Sequence, residues 1–194
     1  MSGSNLQGRW TPSSITEEDI KKLREARYLT LEISHRLLAP GQVIATPEPG
    51  ESVVFISHFL RGLGLALDPF VRGFMFYYGL DFHNLAPDSL LHISSFIVVC
   101  EAFLRITPHF GLWLKTFNVK PKMIEGRHAE CGGAVISKSA EAPWPEGSFP
   151  EVSSLWQREW FYITAPRSAK WVAAPAFRSG PPPQLTSWIS EGLN

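Results

Sequence analysis

Residues 86–117 read "APDSLLHISSFIVVCEAFLRITPHFGLWLKTF", and the placement of this run sets the architecture of everything around it. Its most apolar window, roughly Ile93 to Ile106, encloses a single carboxylate, Glu101, and a single guanidinium, Arg105. A bilayer span needs about 20 apolar residues, so the run is expected as a core helix with no membrane partner. Pro87 belongs at a first helical position, where its missing N–H is not needed. At about 100° per residue, Ser94, Glu101 and Arg105 share one narrow stripe, and Asp88, His92 and Ser95 a second. The remaining surface is Leu, Ile, Val, Phe and Ala, so the helix is expected to be surrounded by protein. Glu101 and Arg105 stand four residues apart in the favourable order and are expected as a partly buried structural ion pair. A catalytic role for Glu101 would require a second acid, a metal or a nucleophile converging on it.

The same Pro-initiated grammar flanks this helix on both sides. In "DPFVRGFMFYYGL", Asp68 suits an N-cap, Pro69 the first helical position and Gly79 a terminator. Thr107-Pro108 precedes "HFGLWLKTF" in like manner. Upstream, "SVVFISHFLRGLGL" is apolar at Val53, Ile56, Leu60 and Leu63, which predicts a helix. "SSITEEDIKKLREARYL" predicts another: Thr16 caps it with Asp19 three residues on, a near-variant of the capping box. Its acids, Glu17, Glu18 and Asp19, lead its bases, Lys21, Lys22 and Arg24, as the helix dipole favours. Residues 38–51, rich in Pro and Gly, predict an extended connection.

After Phe117 the texture changes. "GGAVISK" (132–138) and "EWFYIT" (159–164) are β-branched and aromatic, and are expected as strands that pair antiparallel with each other. The fold class expected is therefore α+β, mainly α: a compact array of Pro-initiated helices with a small antiparallel β pair near the C-terminus. Residues 1–13 are expected as a disordered leader, 14–165 as a single domain, and 166–194 as a Pro-rich, poorly ordered tail.

A chain of 194 residues that is 44% hydrophobic supports one domain with a substantial core. Lys plus Arg equals Asp plus Glu at 18 each, so no global basic field draws it to nucleic acid or an anionic membrane. Two cysteines, Cys100 and Cys131, make no disulfide framework, and an intracellular, reducing setting is expected. "MSGSNLQGRWTPSS" lacks the basic and apolar regions of a signal peptide.

Nuclease-like transposase chemistry usually needs three carboxylates holding two metal ions. The aspartates are Asp19, Asp68, Asp81 and Asp88, three of them accounted for by helix starts. Asp81 and Glu101 alone do not make such a site. There is no Gly-rich phosphate loop, Asp-Thr-Gly or Gly-x-Ser-x-Gly. No catalytic residue, metal or cofactor is expected. His128-x-x-Cys131, with Cys100 and His109 as remote partners, falls short of the two tight pairs a structural zinc site uses. His58, His83 and His109 have apolar or aromatic neighbours and are expected as core or rim histidines. The best basic patch is "KTFNVKPKMIEGRH", where Lys115, Lys120, Lys122 and Arg127 face a single Glu125 beside Phe117. Such a segment could grip a phosphate backbone, but four positive charges are a small excess, and an ordinary solvated connection after a helix is the plainer account.

Taken in order, the blocks HF-RG-G, DPF-R, FYGL, NL-P-S, CE-F, PHFGLW, GG and W-WFY, from about Ile15 to Thr164, resemble the gypsy-type transposon domain of plants. That domain occurs in proteins described as transposases or retrotransposon proteins. The resemblance implies an origin in a transposable element, with no catalytic residues to carry across. It also implies a longer C-terminal region, so that "LTSWISEGLN" reads as the end of a truncated copy. The function expected is a non-catalytic element domain, structural or protein-binding, acting through self-association or contact with another element-encoded protein. The alternative is a nucleic-acid-binding module using residues 115–128.

Overall fold

The computed structural model describes residues 8–63, 68–144 and 155–164. Its first helix, α1 (Glu17–Glu25), begins where the sequence places it. The Thr16 hydroxyl accepts from the Asp19 N–H, and the Asp19 carboxylate accepts from the Thr16 N–H at 3.1 Å. Ile20 and Leu23 form its buried stripe. Strand β1 (Ser34–Arg36) follows, and then the extended connection, which ends in strand β2 (Glu51–Phe55).

Here the predicted helix from Val53 is corrected. Val53, Val54 and Phe55 lie buried in β2, and helix α2 spans only Ile56–Leu60. The spacing of Val53, Ile56, Leu60 and Leu63 mimicked a helix. Three consecutive buried residues are the better signal, since a strand covered on both faces reads as a continuous apolar run.

Helix α3 (Pro69–Tyr78) has Pro69 at its start, the Asp68 carboxylate accepting from Phe70 N–H at 2.6 Å, and Gly79 in the left-handed conformation at its end. That conformation, φ 62°, is the one glycine adopts without a Cβ penalty. Helix α4 (Pro87–Val98) has Pro87 in its first turn. The third proline does not follow the pattern. Helix α5 (Phe110–Thr116) is capped by His109, whose Nδ1 accepts from Gly111 N–H at 3.1 Å, so Pro108 precedes the cap.

The chain then forms a ribbon. Strand β3 (Phe117–Pro121) leads into a tight hairpin, β4 (Met123–Ile124) and β5 (Arg127–His128), and returns as β6 (Ala134–Lys138). β3 pairs antiparallel with β6, with Phe117 opposite Lys138 and Pro121 opposite Ala134. Strand β7 (Trp160–Thr164) lies elsewhere, in the middle of a three-stranded antiparallel sheet ordered β1-β7-β2. The predicted β6–β7 pair is therefore corrected: the two strands belong to different sheets. Each found a better partner, β6 a neighbour in sequence and β7 two strands more than a hundred residues upstream.

Among the described residues there are five α-helices and seven strands in three sheets, a mixed α+β fold. The "mainly α" expectation is overturned because the segments on both flanks of the helical region are built into sheets.

The central strand organises the core. Phe161 and Ile163 face the main cluster with Val54, Phe59, Phe74, Phe96 and Trp113. Trp160 and Tyr162 face a smaller cluster with Val53, Phe55 and Cys131. Alternation along the strand thus feeds two separate apolar layers, and neither face of the sheet is wet. Residues 8–13, expected as part of a leader, cover the smaller layer. The Trp160 indole N–H donates to the Thr11 carbonyl at 2.8 Å, and Trp10 stacks 6.2 Å from Phe55. Residues 1–7 and the 166–194 tail lie outside the described residues.

Candidate functional site

Helix α4 turns Leu90, Ile93 and Phe96 into the core. Ser89 Oγ donates to the Ala134 carbonyl at 2.7 Å and accepts from Ile136 N–H, tying the helix to β6. Beyond Val98 the helix widens into a π-helical turn, Val99–Leu104. A turn closed by i→i+5 bonds contains one extra residue, so it shifts every later side chain off the buried stripe. Cys100 stays in the core at 1% exposure, while Glu101 to Ile106 swing out to solvent.

The chain leaves this turn through Arg105, at φ 55° and ψ 40°. Its N–H and that of Ile106 both donate to the Cys100 carbonyl, the latter at 2.9 Å. Left-handed backbone costs a non-glycine residue roughly 1–2 kcal/mol. The Thr107-Pro108 step prevents the alternative, because the residue before proline is pushed out of the helical region.

The exposed end of this helix is apolar. Val98 is 53% exposed, Phe103 76%, Leu104 54% and Ile106 44%. Scattered exposed hydrophobes are ordinary, but a contiguous group marks a contact surface. Pro87–Leu104 is a helix of 18 residues with mean hydropathy 1.4, of which 33% is buried, so by length and composition it could cross a membrane. The expectation that protein surrounds it fails: one stripe is covered and the far end is bare.

Glu101 and Arg105 both lie in that bare end, and no ion pair joins them. The expected structural pair is corrected. The i,i+4 rule presumes α geometry, and the π turn with its left-handed exit removes it. The strong ion pair of the fold is Arg36 with Glu51: Nε donates to Oε1 at 2.8 Å, and the guanidinium lies 3.8 Å over the Tyr162 ring. This pairing holds the Glu51 carboxyl below the usual range. Tyr162 Oη in turn accepts from Thr46 N–H at 2.9 Å, so the cluster fastens the 37–50 connection to the sheet.

The basic residues are spread over three elements and the turn between two of them. Lys115 is exposed on α5, Lys120 exposed on β3, Lys122 half-buried after it, and Arg127 exposed on β5. Lys120 shares the solvent face of the β3–β6 pair with Asn118, Val135 and Ser137. Glu125, the acid among them, is bound by Arg9 at 2.8 Å.

The aspartates are occupied. Asp19 and Asp68 cap helices, Asp81 closes a capping box with Asn84, and Asp88 lies 3.8 Å from Arg61. Among the described residues, no three of His, Cys, Asp and Glu converge. His58 is fully buried, with Nε2 at 3.0 Å from the Leu85 carbonyl; burial pushes its pKa down to about 4. His83 is half-buried under Trp10, and His109 is exposed, so only the first two fit a core or rim role. Cys131 is buried with its thiol pushed up to about 12, and Cys100 is buried too.

The π-helical turn was missed in the sequence because hydropathy runs through it unchanged. The pairing of Thr107-Pro108 with a preceding bulky apolar run was the available signal for an early, exposed helix end.

Residues 53–121 match the model of the family described as "Putative gypsy type transposon". The matched segment runs from β2 through β3, so it contains the exposed turn and Lys115 and Lys120. It stops short of Lys122, Arg127 and β7, and is narrower than the block order from Ile15 to Thr164. No curated protein and no solved structure matches the chain.

Proposed function

We propose, with residues 53–121 as a gypsy-type transposon domain, that the chain is a non-catalytic domain of an element-derived protein working through protein contacts. The observation that carries this is the exposed apolar end of α4, with Phe103 76% exposed at its tip. Supporting it, the acids that could gather metal ions are spent on helix starts: Asp19, Asp68 and Asp81 each cap one. Glu101 lies instead on the exposed end of the helix. A lipid surface would recruit Lys and Arg rather than a carboxylate amid apolar residues, so protein is the better match for this end.

A photo-activatable benzophenone side chain at position 103 tests the contact. Irradiation in cell extract is expected to give a discrete protein adduct. No adduct, or one to nucleic acid, would sink the proposal. Purified protein with magnesium or manganese is expected to leave plasmid DNA uncut.

A second reading, nucleic-acid binding, is favoured by Lys120 on the open face of the β3–β6 ribbon, with Lys115 and Arg127 exposed nearby in sequence. It requires salt-dependent binding to a mixed oligonucleotide that weakens in Lys120→Glu with Lys122→Glu.

A further inference from the structure

We propose that the trough holding the N-terminal arm is a peptide-binding site, filled in cis by residues 8–14, "GRWTPSS". The partner it fits is an extended segment of another protein with the same pattern, Gly-x-Trp followed by hydroxyl residues. This goes beyond the contact at Phe103 and uses none of its residues.

The arm is held as a ligand is held. Its bonds to the trough reach residues 120 to 149 positions along the chain, on two walls. One wall is the loop before β6, where the Gly8 carbonyl accepts from Glu130 N–H at 2.6 Å and Trp10 N–H donates to the Glu130 carboxylate at 3.0 Å. The other is the 3-10 turn Trp156–Arg158 with the first residue of β7. There Thr11 Oγ1 donates to the Gln157 carbonyl at 3.0 Å, Ser13 Oγ to the Trp160 carbonyl, and Ser14 N–H to the Arg158 carbonyl at 2.7 Å. Between the walls the Trp10 ring meets Phe55, His83 and Trp160, with centroids 5.2 to 6.2 Å apart. Main-chain bonds along an extended segment, with an aromatic anchor in an apolar site, are how grooves recognise peptides.

The trough also sets a pattern. Gly8 has φ 74°, and a Cβ there would run into Ile124 Cδ1 and lie 2.7 Å from Ala129 Cβ, so this position is closed to a side chain. Positions 11 and 13 each place a hydroxyl on a main-chain carbonyl. Arg9 and Pro12 are exposed, and their positions are free to vary.

The arm does not meet every demand of its site. Gln157, whose carbonyl holds Thr11, has its side-chain Oε1 buried without a hydrogen-bond partner, and a buried acceptor left unmet is costly. The residue after Thr11 is Pro12, which has no N–H. A segment of another protein that brings one more donor gains what the arm lacks. A second copy's arm gains nothing over the chain's own, which is present at an effective concentration of about millimolar.

The probe is a fluorescein-labelled peptide of residues 8–15, read by fluorescence anisotropy against the full chain. Wild type is expected to bind it weakly because the arm competes. Trp10→Ala should bind it at least ten-fold more tightly, because its open trough is more populated. The peptide carrying Gly8→Ala or Trp10→Ala should lose binding to the same receptor. Full-chain Gly8→Ala strains the arm, leaves the aromatic layer intact and should behave as Trp10→Ala does. Hydrogen exchange of wild type gives an independent reading, and decides if both variants unfold. Trp10 and Ser14 amides should exchange about ten-fold or more faster than those of β7, and without their urea dependence, as local opening requires. No peptide binding to either loosened variant overturns the proposal, as does equal binding by wild type or binding indifferent to the peptide's glycine and tryptophan. Arm amides that exchange only together with β7 overturn it too, since the trough then never opens in the folded protein. Dimers of wild type in sedimentation up to about 200 µM would make the occupant a second copy and overturn the assignment to another protein. The cross-link at position 103 reads the other surface, so failure of either proposal leaves the other standing.

Discussion

His58 should make this fold sensitive to mild acid. Its ring is fully buried, and a carbonyl oxygen can only accept, so Nε2, 3.0 Å from the Leu85 carbonyl, carries the proton. Nδ1 is then bare, buried and without a hydrogen-bond partner. Beside it lies the Phe55 ring, with centroids 5.2 Å apart. Protonation would place a cation and an N–H with no acceptor in an apolar layer, which is why burial lowers the pKa from 6.5 to about 4. In the unfolded chain the imidazole titrates near its ordinary value. Between those two values the unfolded state binds the extra proton, so stability falls as pH falls.

Linkage gives a loss of about 2 kcal/mol between pH 7 and pH 5, and about 3 kcal/mol by pH 4. Stability is complete above the ordinary histidine range and is withdrawn below it. Burial lowers His83 and His92 as well, so they act in the same direction. Glu51 and Asp19 are held below the usual carboxylate range and matter only in more acid solution, and burial raises the Glu159 carboxyl, which acts in the opposite direction, so His58 is isolated by comparison with a variant that cannot titrate there. His58→Gln retains a donor for the Leu85 carbonyl and cannot titrate. Urea midpoints measured at each pH should show wild type losing about 2 kcal/mol more than His58→Gln between pH 7 and pH 5. Equal losses in the two proteins would refute the reasoning.

Other perturbations bear on separate features. Glu101→Ala should change stability by less than about 0.5 kcal/mol in urea titration, as befits an exposed, unpaired carboxylate; a loss near 3 kcal/mol would restore the buried ion pair. Trp113→Ala should cost about 3–5 kcal/mol, because this fully buried indole touches Phe70, Phe74, Phe96 and Phe117. Glu51→Gln should cost about 2 kcal/mol at pH 7 by weakening the charge-assisted bonds to Arg36, and the deficit relative to wild type should shrink as pH drops through the carboxylate range. Cys100 and Cys131, buried with raised thiol pKa values, should resist a thiol-specific disulfide reagent at pH 8 until urea unfolds the chain.

Local chemistry was readable in the sequence where a residue acts on its own neighbours. Thr16 with Asp19, Asp68 with Pro69, Gly79 and Pro87 each announced a helix boundary, and each is found there. Their effect is settled within one turn. The sheet was not readable in the same way, because Val54 opposite Phe161 and His35 opposite Ile163 depend on pairings across more than a hundred residues. β2 was misread since apolar spacing in a short run suits either period. Glu101 and Arg105 were misassigned for a different reason: their spacing was correct, but the backbone geometry it assumed was absent. The basic segment was located in sequence, yet only the register of β3 and β6 shows that Lys120 faces solvent while Val119 and Ile136 turn inward.

The position of β7 has a consequence for how this protein comes into being. A ribosome delivers β1 and β2 long before Trp160–Thr164, and until then each of those strands waits without its strand partner. The nascent chain can build α3 to β6 from contacts close in sequence, but it cannot close its sheet until the last described strand emerges. Fragments that stop before residue 160, including the family-matched segment alone, would carry β2 as an open apolar edge, the kind of strand that recruits another chain. Expression of such fragments should therefore yield aggregates, whereas chains extended through Thr164 should yield soluble protein.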